Sequence, residues 1–221
     1  MKRGSAPSTP ERDRRSSDSL NLSPNKMRRI EDFFKMKDDW TIDNLFTPDR
    51  YKDLTGIEFP KISHAKLLID TREPWKDDIV SILKTWNIDC EFKSLECGDY
   101  MWIGDRYTFD CCIERKTVDD LRKSLGDSRF ESQSSNMKKY KMHNLFYLVE
   151  GQNPREEDLE RIRKEGFKII RTNDINDTFE FLVNITVMLN RYIRDNDYRK
   201  LFFILSKEED ERRGPFVNYK E

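Results

Sequence analysis

Short apolar runs alternate with amphipathic segments from residue 65 onward, and this alternation limits the possible folds more than any other feature. The run Lys66–Asp70 is short, apolar and ends on an acid, which is typical of a buried strand. Residues 76–86 then place apolar side chains at helical spacing. Strands that alternate with helices over short connections predict an α/β domain with a central mixed sheet.

The same alternation continues to residue 194. Strands are expected over 90–103 and 106–115, joined by a turn at Gly104-Asp105, and over 144–149 and 167–171. Helices are expected over 117–124, 128–141, 154–165 and 174–194. The last helix carries two neighbouring apolar stripes, wider than one sheet face needs. This pattern predicts an interface with a second subunit, or alternatively a helix that is buried on both sides within one domain.

The N-terminal part of the chain has a different composition. Residues 1–26 are rich in Ser, Pro, Arg and Asp, and residues 1–30 hold eight basic residues against three acidic ones. Such a segment cannot bury enough apolar surface to fold. We therefore expect a disordered basic arm over 1–63, a folded domain over 64–197 and a charged tail over 198–221.

The cysteines and the apolar runs exclude several classes of protein. Cys90, Cys97, Cys111 and Cys112 form no CxxC pair, which argues against a zinc site and favours four reduced thiols in or near strands. The first residues lack the apolar core of a signal peptide. No apolar run approaches the roughly 20 residues of a membrane-spanning helix. These features favour a soluble intracellular protein.

Three residues form a candidate catalytic group. Asp99 lies in the predicted strand 90–103, and Glu114 and Lys116 lie at the end of the next strand. Because strand residues two apart share a face, Glu114 and Lys116 should point the same way and Arg115 the other. Carboxylates at neighbouring strand ends can hold a hard cation, which stabilises charge on a phosphodiester and lowers the pKa of a water. The alternative is a purely structural salt bridge between Glu114 and Lys116.

Further motifs surround this group in a fixed order. They are Ile69-Asp70-Thr71-Arg72-Glu73, Gly98-Asp99-Tyr100, Glu114-Arg115-Lys116 with Asp120, Asp127-Ser128-Arg129-Phe130 through Gln133, and Tyr147-Leu148-Val149-Glu150. Over roughly residues 65–195 the sequence resembles the nuclease domain of the XPF-type structure-specific endonuclease family. The signature of that family is Gly-Asp, a spacer, then Glu-Arg-Lys, three residues and Asp. The crossover-junction (Mus-type) branch is the most similar, and the resemblance implies a restriction-endonuclease-like fold.

The resemblance also implies a catalytic site. Asp99, Glu114 and the backbone carbonyl of Arg115 would bind Mg²⁺, or Mn²⁺ in its place. Lys116 would position the attacking water, and Asp70 would assist the metal. These roles make the chain a metal-dependent DNA endonuclease.

The remaining motif residues would support this site or contact DNA. The supporting residues would be Arg72, Glu73 and Asp120, and the DNA-contacting residues would be Arg115, Arg129 and Gln133. Asp120 would hold the Glu-Arg-Lys segment in place. For Arg72 and Asp120 the alternative is that they only pair with each other or with neighbouring residues.

The sequence departs from the family pattern at three points. Members of the crossover-junction branch usually have Asp-Gly-Arg where this chain has Asp127-Ser128-Arg129, and a basic residue where it has Ser134. Most relatives also carry a C-terminal helix-hairpin-helix module that grips duplex DNA, and the residues after the last predicted helix are too few for it. We therefore expect the nuclease domain, the basic arm or a partner to bind the substrate.

A second motif lies in the basic arm. The segment from Met27 to Phe34 resembles the peptide that docks on the sliding clamp (PCNA), although Met27 stands where that motif usually has Gln. Ile30, Phe33 and Phe34 would form one apolar side of a helical turn. The alternative is a chance aromatic cluster or a segment that packs on the domain.

These resemblances imply a nuclear enzyme that cuts branched DNA, such as 3′ flaps, forks or junctions, during repair and recombination. The family works as dimers, so a homodimer or a heterodimer with a related non-catalytic subunit is expected. One alternative is that this chain is itself a non-catalytic DNA-binding or partner subunit. Another is that its substrate is simple duplex or single-stranded DNA.

Overall fold

A single mixed sheet organises the chain in the computed structural model, which describes residues 63–195 except 106, 141 and 143, together with residues 204–206. The strands within this part are β1 (Lys66–Asp70), β2 (Cys90–Lys93), β3 (Tyr100–Gly104), β4 (Tyr107–Thr117), β5 (Asn144–Glu150), β6 (Lys168–Thr172) and β7 (Ile204–Ser206). The helices are α1 (Lys76–Thr85), α2 (Val118–Gly126), α3 (Arg129–Lys139), α4 (Glu156–Lys164) and α5 (Ile175–Arg194).

The strand order is β2-β1-β3-β4-β5-β6, and β7 pairs with the first part of β4. The pairs β1–β2, β4–β5 and β5–β6 are parallel, and the pairs of β3 with β1 and β4 are antiparallel. Parallel neighbours need a crossover, and helices supply each one here. A mixed sheet flanked by helices confirms the α/β class predicted from the sequence.

Helices cover both faces of the sheet, which explains the continuous apolar runs in the strands. One face packs against α1 and α5 and includes Trp102 and Ile113. The other face packs against α2, α3 and α4 and includes Met101 and Cys112. Successive strand residues therefore enter opposite cores. We call the α2–α4 side the front and the α1–α5 side the back.

The predicted strand 90–103 is in fact two strands, β2 and β3. They lie on opposite sides of β1, one parallel to it and the other antiparallel. The chain must therefore cross from one edge of β1 to the other, and residues 94–99 form the loop that does so. Gly98 has a φ of 67°, which ends the extended conformation there. Asp99 thus lies in this loop, directly before β3, and not within a strand.

The middle of helix α5 is buried on all sides within the chain. Every residue from 178 to 186 is buried, a run longer than two helical turns. Trp102 on the back of the sheet donates a hydrogen bond to Thr186 over 2.8 Å. Among the described residues, Val187 is the exposed large hydrophobic residue. The prediction of an exposed second stripe on α5 is therefore wrong, because the chain itself covers it, and the predicted dimer loses this support.

The domain boundaries predicted from the sequence differ from the sheet at one end. Strand β7 falls in the segment 198–221, which was assigned to a charged tail, yet it pairs with β4 at Thr108 and Phe109. Almost all of the predicted arm 1–63, with Ile30, Phe33 and Phe34 of the clamp-docking motif, lies outside the described residues. All four cysteines are free thiols. None of the described helices combines the length and apolar character needed to cross a membrane.

Candidate active site

The end of β4 and the loop before β3 bring the predicted catalytic residues together. The backbone N–H of Asp99 donates to the carbonyl of Ile113 over 2.7 Å. The backbone N–H of Arg115 in turn donates to Oδ2 of the Asp99 side chain over 2.7 Å. Asp99 is therefore held against the backbone on both sides of Glu114, through its own N–H at Ile113 and its carboxylate at Arg115.

Gly98 makes this close approach possible. A Cβ atom at this position would lie 2.3 Å from Cys112 Sγ and 3.0 Å from the Ile113 carbonyl oxygen. Both distances are shorter than ordinary contacts, and the positive φ is unfavourable for a residue with a side chain. Glycine at position 98 thus lets the Asp99 loop pack directly on β4.

Glu114 and Lys116 lie on the front of the sheet, as the strand alternation predicted. Oε1 of Glu114 accepts hydrogen bonds from Nζ of Lys116 over 2.9 Å and from Nε2 of Gln133 over 2.7 Å. Gln133 belongs to α3, which passes over the end of β4. This residue was predicted to contact DNA, and the structure instead uses its amide to fix the Glu114 carboxylate.

The two carboxylates form an electrostatically strained pair. Burial raises the pKa of Asp99 well above its usual range, and the neighbouring charge of Glu114 raises it further. The hydrogen bond from the Arg115 amide lowers this pKa only in part. A positive charge placed between the two carboxylates would relieve their repulsion.

Several oxygens at this point have no hydrogen-bond donor among the described residues. Oδ1 of Asp99 and Oε2 of Glu114 accept none, and Oε1 of Gln133 is buried without a partner. Oxygen atoms are the ligands that Mg²⁺ prefers, and Mg²⁺ is commonly held by one or two carboxylates plus waters and substrate phosphates. In the described part of the chain, no group of three or more His, Cys, Asp or Glu residues could hold a metal ion. With these free oxygens, Asp99 and Glu114 fit the two-carboxylate type of magnesium site.

Arg115 points to the back of the sheet, where its side chain is only 8% exposed. Nη1 donates to Glu73 over 2.8 Å, and Nε and Nη2 donate to Glu150 over 2.9 and 2.6 Å. Burial would lower the pKa of Arg115, but Glu150 and Glu73 raise it above its usual value. Its side chain could contact DNA only after these ion pairs separate, so the geometry does not favour the predicted contact.

Glu150 and Glu73 are the two carboxylates that pair with the buried guanidinium of Arg115. The Thr178 hydroxyl of α5 donates to Glu150 over 2.8 Å and lies 2.9 Å from the Thr172 hydroxyl. Burial raises the pKa of Glu73, and the charge of Arg115 partly opposes the rise. We call these five residues the back network. It fixes the side chain of the residue whose amide holds Asp99.

The Asp70 carboxylate accepts four hydrogen bonds. Three come from Arg72, through its backbone N–H at 2.8 Å, Nε at 2.6 Å and Nη2 at 3.1 Å. The fourth comes from the backbone N–H of Leu95 at 2.7 Å. Burial would raise the pKa of Asp70, but the bonds from Arg72 and Leu95 lower it below its usual value. Asp70 thus anchors the loop that leads to Asp99, and the predicted assistance to the metal would have to compete with these bonds.

The remaining predicted residues lie at the helix starts on the front. Asp120 exchanges two hydrogen bonds of 3.1 Å with Thr117, the residue that follows the Glu-Arg-Lys segment. This capping arrangement has the geometry that the predicted holding role requires. Arg129 is exposed at the start of α3 and pairs with Asp127 over 2.7 Å. Ser128 between them has a φ of 60°, the conformation that glycine adopts most readily.

The sequence reasoning assigned no role to Glu150, Thr178 or the Leu95 amide. Glu150 is in register with Thr117 in the parallel pair β4–β5, so strand pairing could have placed it beside Arg115. Thr178 and the Leu95 amide carry no local signal. Their roles depend on how α5 and the loop 94–99 pack on the sheet.

Comparison with known proteins places this site in a family. The model of the ERCC4 domain matches residues 69–185, more than half of the chain. The crossover junction endonuclease MUS81 of Arabidopsis thaliana is 27% identical over 170 residues, which cover 66% of this chain and 26% of that protein. The corresponding protein of Eremothecium gossypii is 34% identical over 149 residues, 58% of this chain and 24% of that protein. This chain thus spans about a quarter of the length of these relatives.

A solved structure of XPF from Aeropyrum pernix aligns with 60% of this chain and 69% of its own, at 23% sequence identity and a TM-score of 0.45. The family match covers β1 from Ile69, the loop with Asp99, the end of β4 and most of α5. It therefore contains Asp99, Glu114 and Lys116 and the whole back network. The chain belongs to the ERCC4 domain family of XPF-type nucleases, close to the crossover junction endonuclease branch.

Proposed function

We propose that this chain is a catalytic DNA endonuclease subunit that hydrolyses phosphodiesters in branched DNA with the help of Mg²⁺. The observation that carries the proposal is the grouping of Asp99, Glu114 and Lys116 at one point, with two carboxylate oxygens that accept no hydrogen bond from the residues that the structure describes. The names of the relatives agree with a nuclease that acts on junctions. Nuclear repair and recombination is the setting that this activity fits.

Each residue at the site would have its own role in phosphodiester hydrolysis. Asp99 and Glu114 would hold the cation through Oδ1 and Oε2, with the Arg115 carbonyl as a further ligand. When bound, Mg²⁺ supplies positive charge to the phosphodiester and lowers the pKa of a water. Lys116 uses one ammonium N–H on Glu114, and its other donors can orient a water toward phosphorus. Gln133 keeps the Glu114 carboxylate in position.

The decisive experiment incubates the purified chain, alone and with candidate partner subunits, with labelled duplex, flap, fork and four-way-junction DNA in Mg²⁺. Cutting of the branched substrates, and its loss in chelator, is the expected result. Glu114→Gln should lower the rate by a factor on the order of 10² or more, since it removes a charge that acts on the transition state. Thermal unfolding should show that the variant remains folded.

Asp119→Asn is the matched control, because this carboxylate is 81% exposed on α2 and its nearest charged partner is Arg122. It should cut like the wild-type chain. Full activity of Glu114→Gln would contradict the catalytic assignment and point to a contaminating nuclease. If the chain binds branched DNA but never cuts it, with or without a partner, it is the non-catalytic subunit instead.

A further inference from the structure

We propose that Arg72 is a phosphate-binding residue of the active site, which contacts the DNA backbone at or next to the cut linkage through Nη1. The proposal rests on the nuclease function and adds to it a residue that grips the substrate. Three features of Arg72 support it: a guanidinium fixed on one edge, free donors on the other edge, and closeness to the catalytic carboxylates.

The guanidinium is fixed through one edge only. Nε and Nη2 bind the Asp70 carboxylate side-on over 2.6 and 3.1 Å, and Nη2 also donates to the Leu95 carbonyl over 3.1 Å. These bonds use the single N–H of Nε and both N–H groups of Nη2. A bidentate pair of this kind fixes the plane of the guanidinium as well as its position.

The other edge remains available for a ligand. Within the described part of the chain, Nη1 donates to no acceptor, so both of its N–H groups are free. The Arg72 side chain is 69% exposed, although the carboxylate that holds it is fully buried. Arg72 therefore offers an oriented cation to solvent without giving up the bonds that fix it. Phosphate oxygens are well-suited acceptors for such donors.

The position of Arg72 is next to the catalytic carboxylates. The backbone N–H of Asp70 donates to the Asp99 carbonyl over 2.9 Å, so the turn that carries Arg72 begins beside Asp99. The pKa of Arg72 is raised mainly by its hydrogen bond to Asp70 and further by the charges of Asp99 and Glu114. A DNA backbone that reaches these carboxylates would come within range of the Arg72 charge. The positive charge of Arg72 would also offset the repulsion between that backbone and the acidic pair.

A test can locate the contact on the DNA. The cut position is first mapped on a branched substrate with the full chain, and single linkages around it are then replaced by neutral methylphosphonates. Binding to each DNA is measured by fluorescence anisotropy in Ca²⁺ instead of Mg²⁺, with the DNA checked for cutting. The wild-type chain and Arg72→Ala are compared as a double-mutant cycle with each neutral linkage.

We expect one linkage, at or beside the cut, to behave differently from the rest. Its neutralisation should weaken binding of the wild-type chain by about tenfold, a typical effect of losing a charge-assisted hydrogen bond, and should not weaken Arg72→Ala further. The plot of log affinity against log salt concentration should also be less steep for Arg72→Ala, by the amount that about one phosphate contact contributes. The control is Arg194→Ala, which replaces an exposed arginine at the end of α5. In this variant, neutralisation of each linkage should change the affinity as it does for the wild-type chain.

A structural role of Arg72 in holding the loop 94–99 gives a different pattern. In that case Arg72→Ala weakens binding equally at all linkages and shows no coupling to any of them, which overturns the proposal. If Arg72→Ala does not fold, Arg72→Lys replaces it in the cycle. Lysine keeps the positive charge, but its single ammonium group cannot bind Asp70 side-on and also bind a phosphate. If the wild-type chain cuts DNA but no linkage shows this coupling, only the proposed role of Arg72 is rejected. A chain that neither binds nor cuts branched DNA rejects the proposed function as well.

Discussion

The front and the back of the sheet treat charge in opposite ways at the end of β4. On the back, one cation meets two carboxylates, and the three guanidinium nitrogens of Arg115 all donate hydrogen bonds to them. On the front, Asp99 and Glu114 repel each other and keep oxygens that accept no hydrogen bond from the described part of the chain. The charges on the back thus pair with one another inside the protein, whereas the carboxylates on the front retain the capacity to bind a cation. Neighbouring residues of one strand can therefore serve stability and chemistry separately.

The separation predicts a clear difference between variants of the two faces. Changes on the front should lower the cutting rate with little effect on stability, as proposed for Glu114. Changes on the back should lower stability first, because they leave buried charges without partners. The following predictions test this difference, in order of decreasing effect on the free energy of unfolding.

The largest effect is expected for Arg115→Met. It leaves Glu73 and Glu150 buried without their cation, and the loss of one partner from such a buried network costs about 3–5 kcal/mol. Chemical denaturation of the purified variant measures this change. Lys116→Met is the front control and should cost much less, because Glu114 keeps its hydrogen bond from Gln133.

A triple variant checks the physical reason for that loss. Glu73→Gln and Glu150→Gln, added to Arg115→Met, remove the unpaired charges and should restore most of the stability. If the triple variant is no more stable than Arg115→Met, buried charge is not the cause of the loss. Equal losses in Arg115→Met and Lys116→Met would remove the distinction between the two faces.

A smaller effect is expected for Thr178→Val. The change keeps a similar shape but removes the hydroxyl that donates to Glu150 over 2.8 Å at a fully buried position. Loss of a hydrogen bond to a buried charged group should cost about 1–3 kcal/mol. Thr178→Ser retains the hydroxyl and is the control in the same denaturation experiment. A larger loss in the serine variant would assign the role of Thr178 to its methyl group.

The smallest effect is a gain in stability on the front. Ser128 is exposed, has a φ of 60° and makes no capping hydrogen bond with its side chain. Ser128→Gly should therefore stabilise the protein by about 1 kcal/mol, because glycine adopts this conformation without steric cost. Ser128→Ala keeps the strain and should show no gain. An unchanged melting temperature in the glycine variant would mean that the turn relaxes in solution.

The sequence was sufficient for features that depend on local pattern. Alternation along β4 correctly placed Glu114 and Lys116 on one face and Arg115 on the other. Periodicity and end signals gave the helices to within a few residues. The family resemblance implies glycine at the position of Ser128, and the positive φ of this residue supplies a physical reason for that expectation.

Features that depend on distant packing could not be predicted. The split of the strand 90–103 follows from β1 lying between β2 and β3, which local sequence does not encode. The apolar stripes on α5 have the same pattern whether a partner or the chain itself covers them, and here the chain does. The side chain of Arg115 was assigned to DNA because its buried partners, Glu73 and Glu150, are distant in sequence.

Gly98 limits the mutations that the gene can tolerate. The residue next to it supplies one of the two proposed catalytic carboxylates, and the strand packed on it supplies the other, so any added atom at position 98 would push the two apart. Most codons tolerate some replacement over time, and Ser128 should even accept one that helps. The codon for Gly98 should accept only synonymous changes for as long as the two carboxylates must work together.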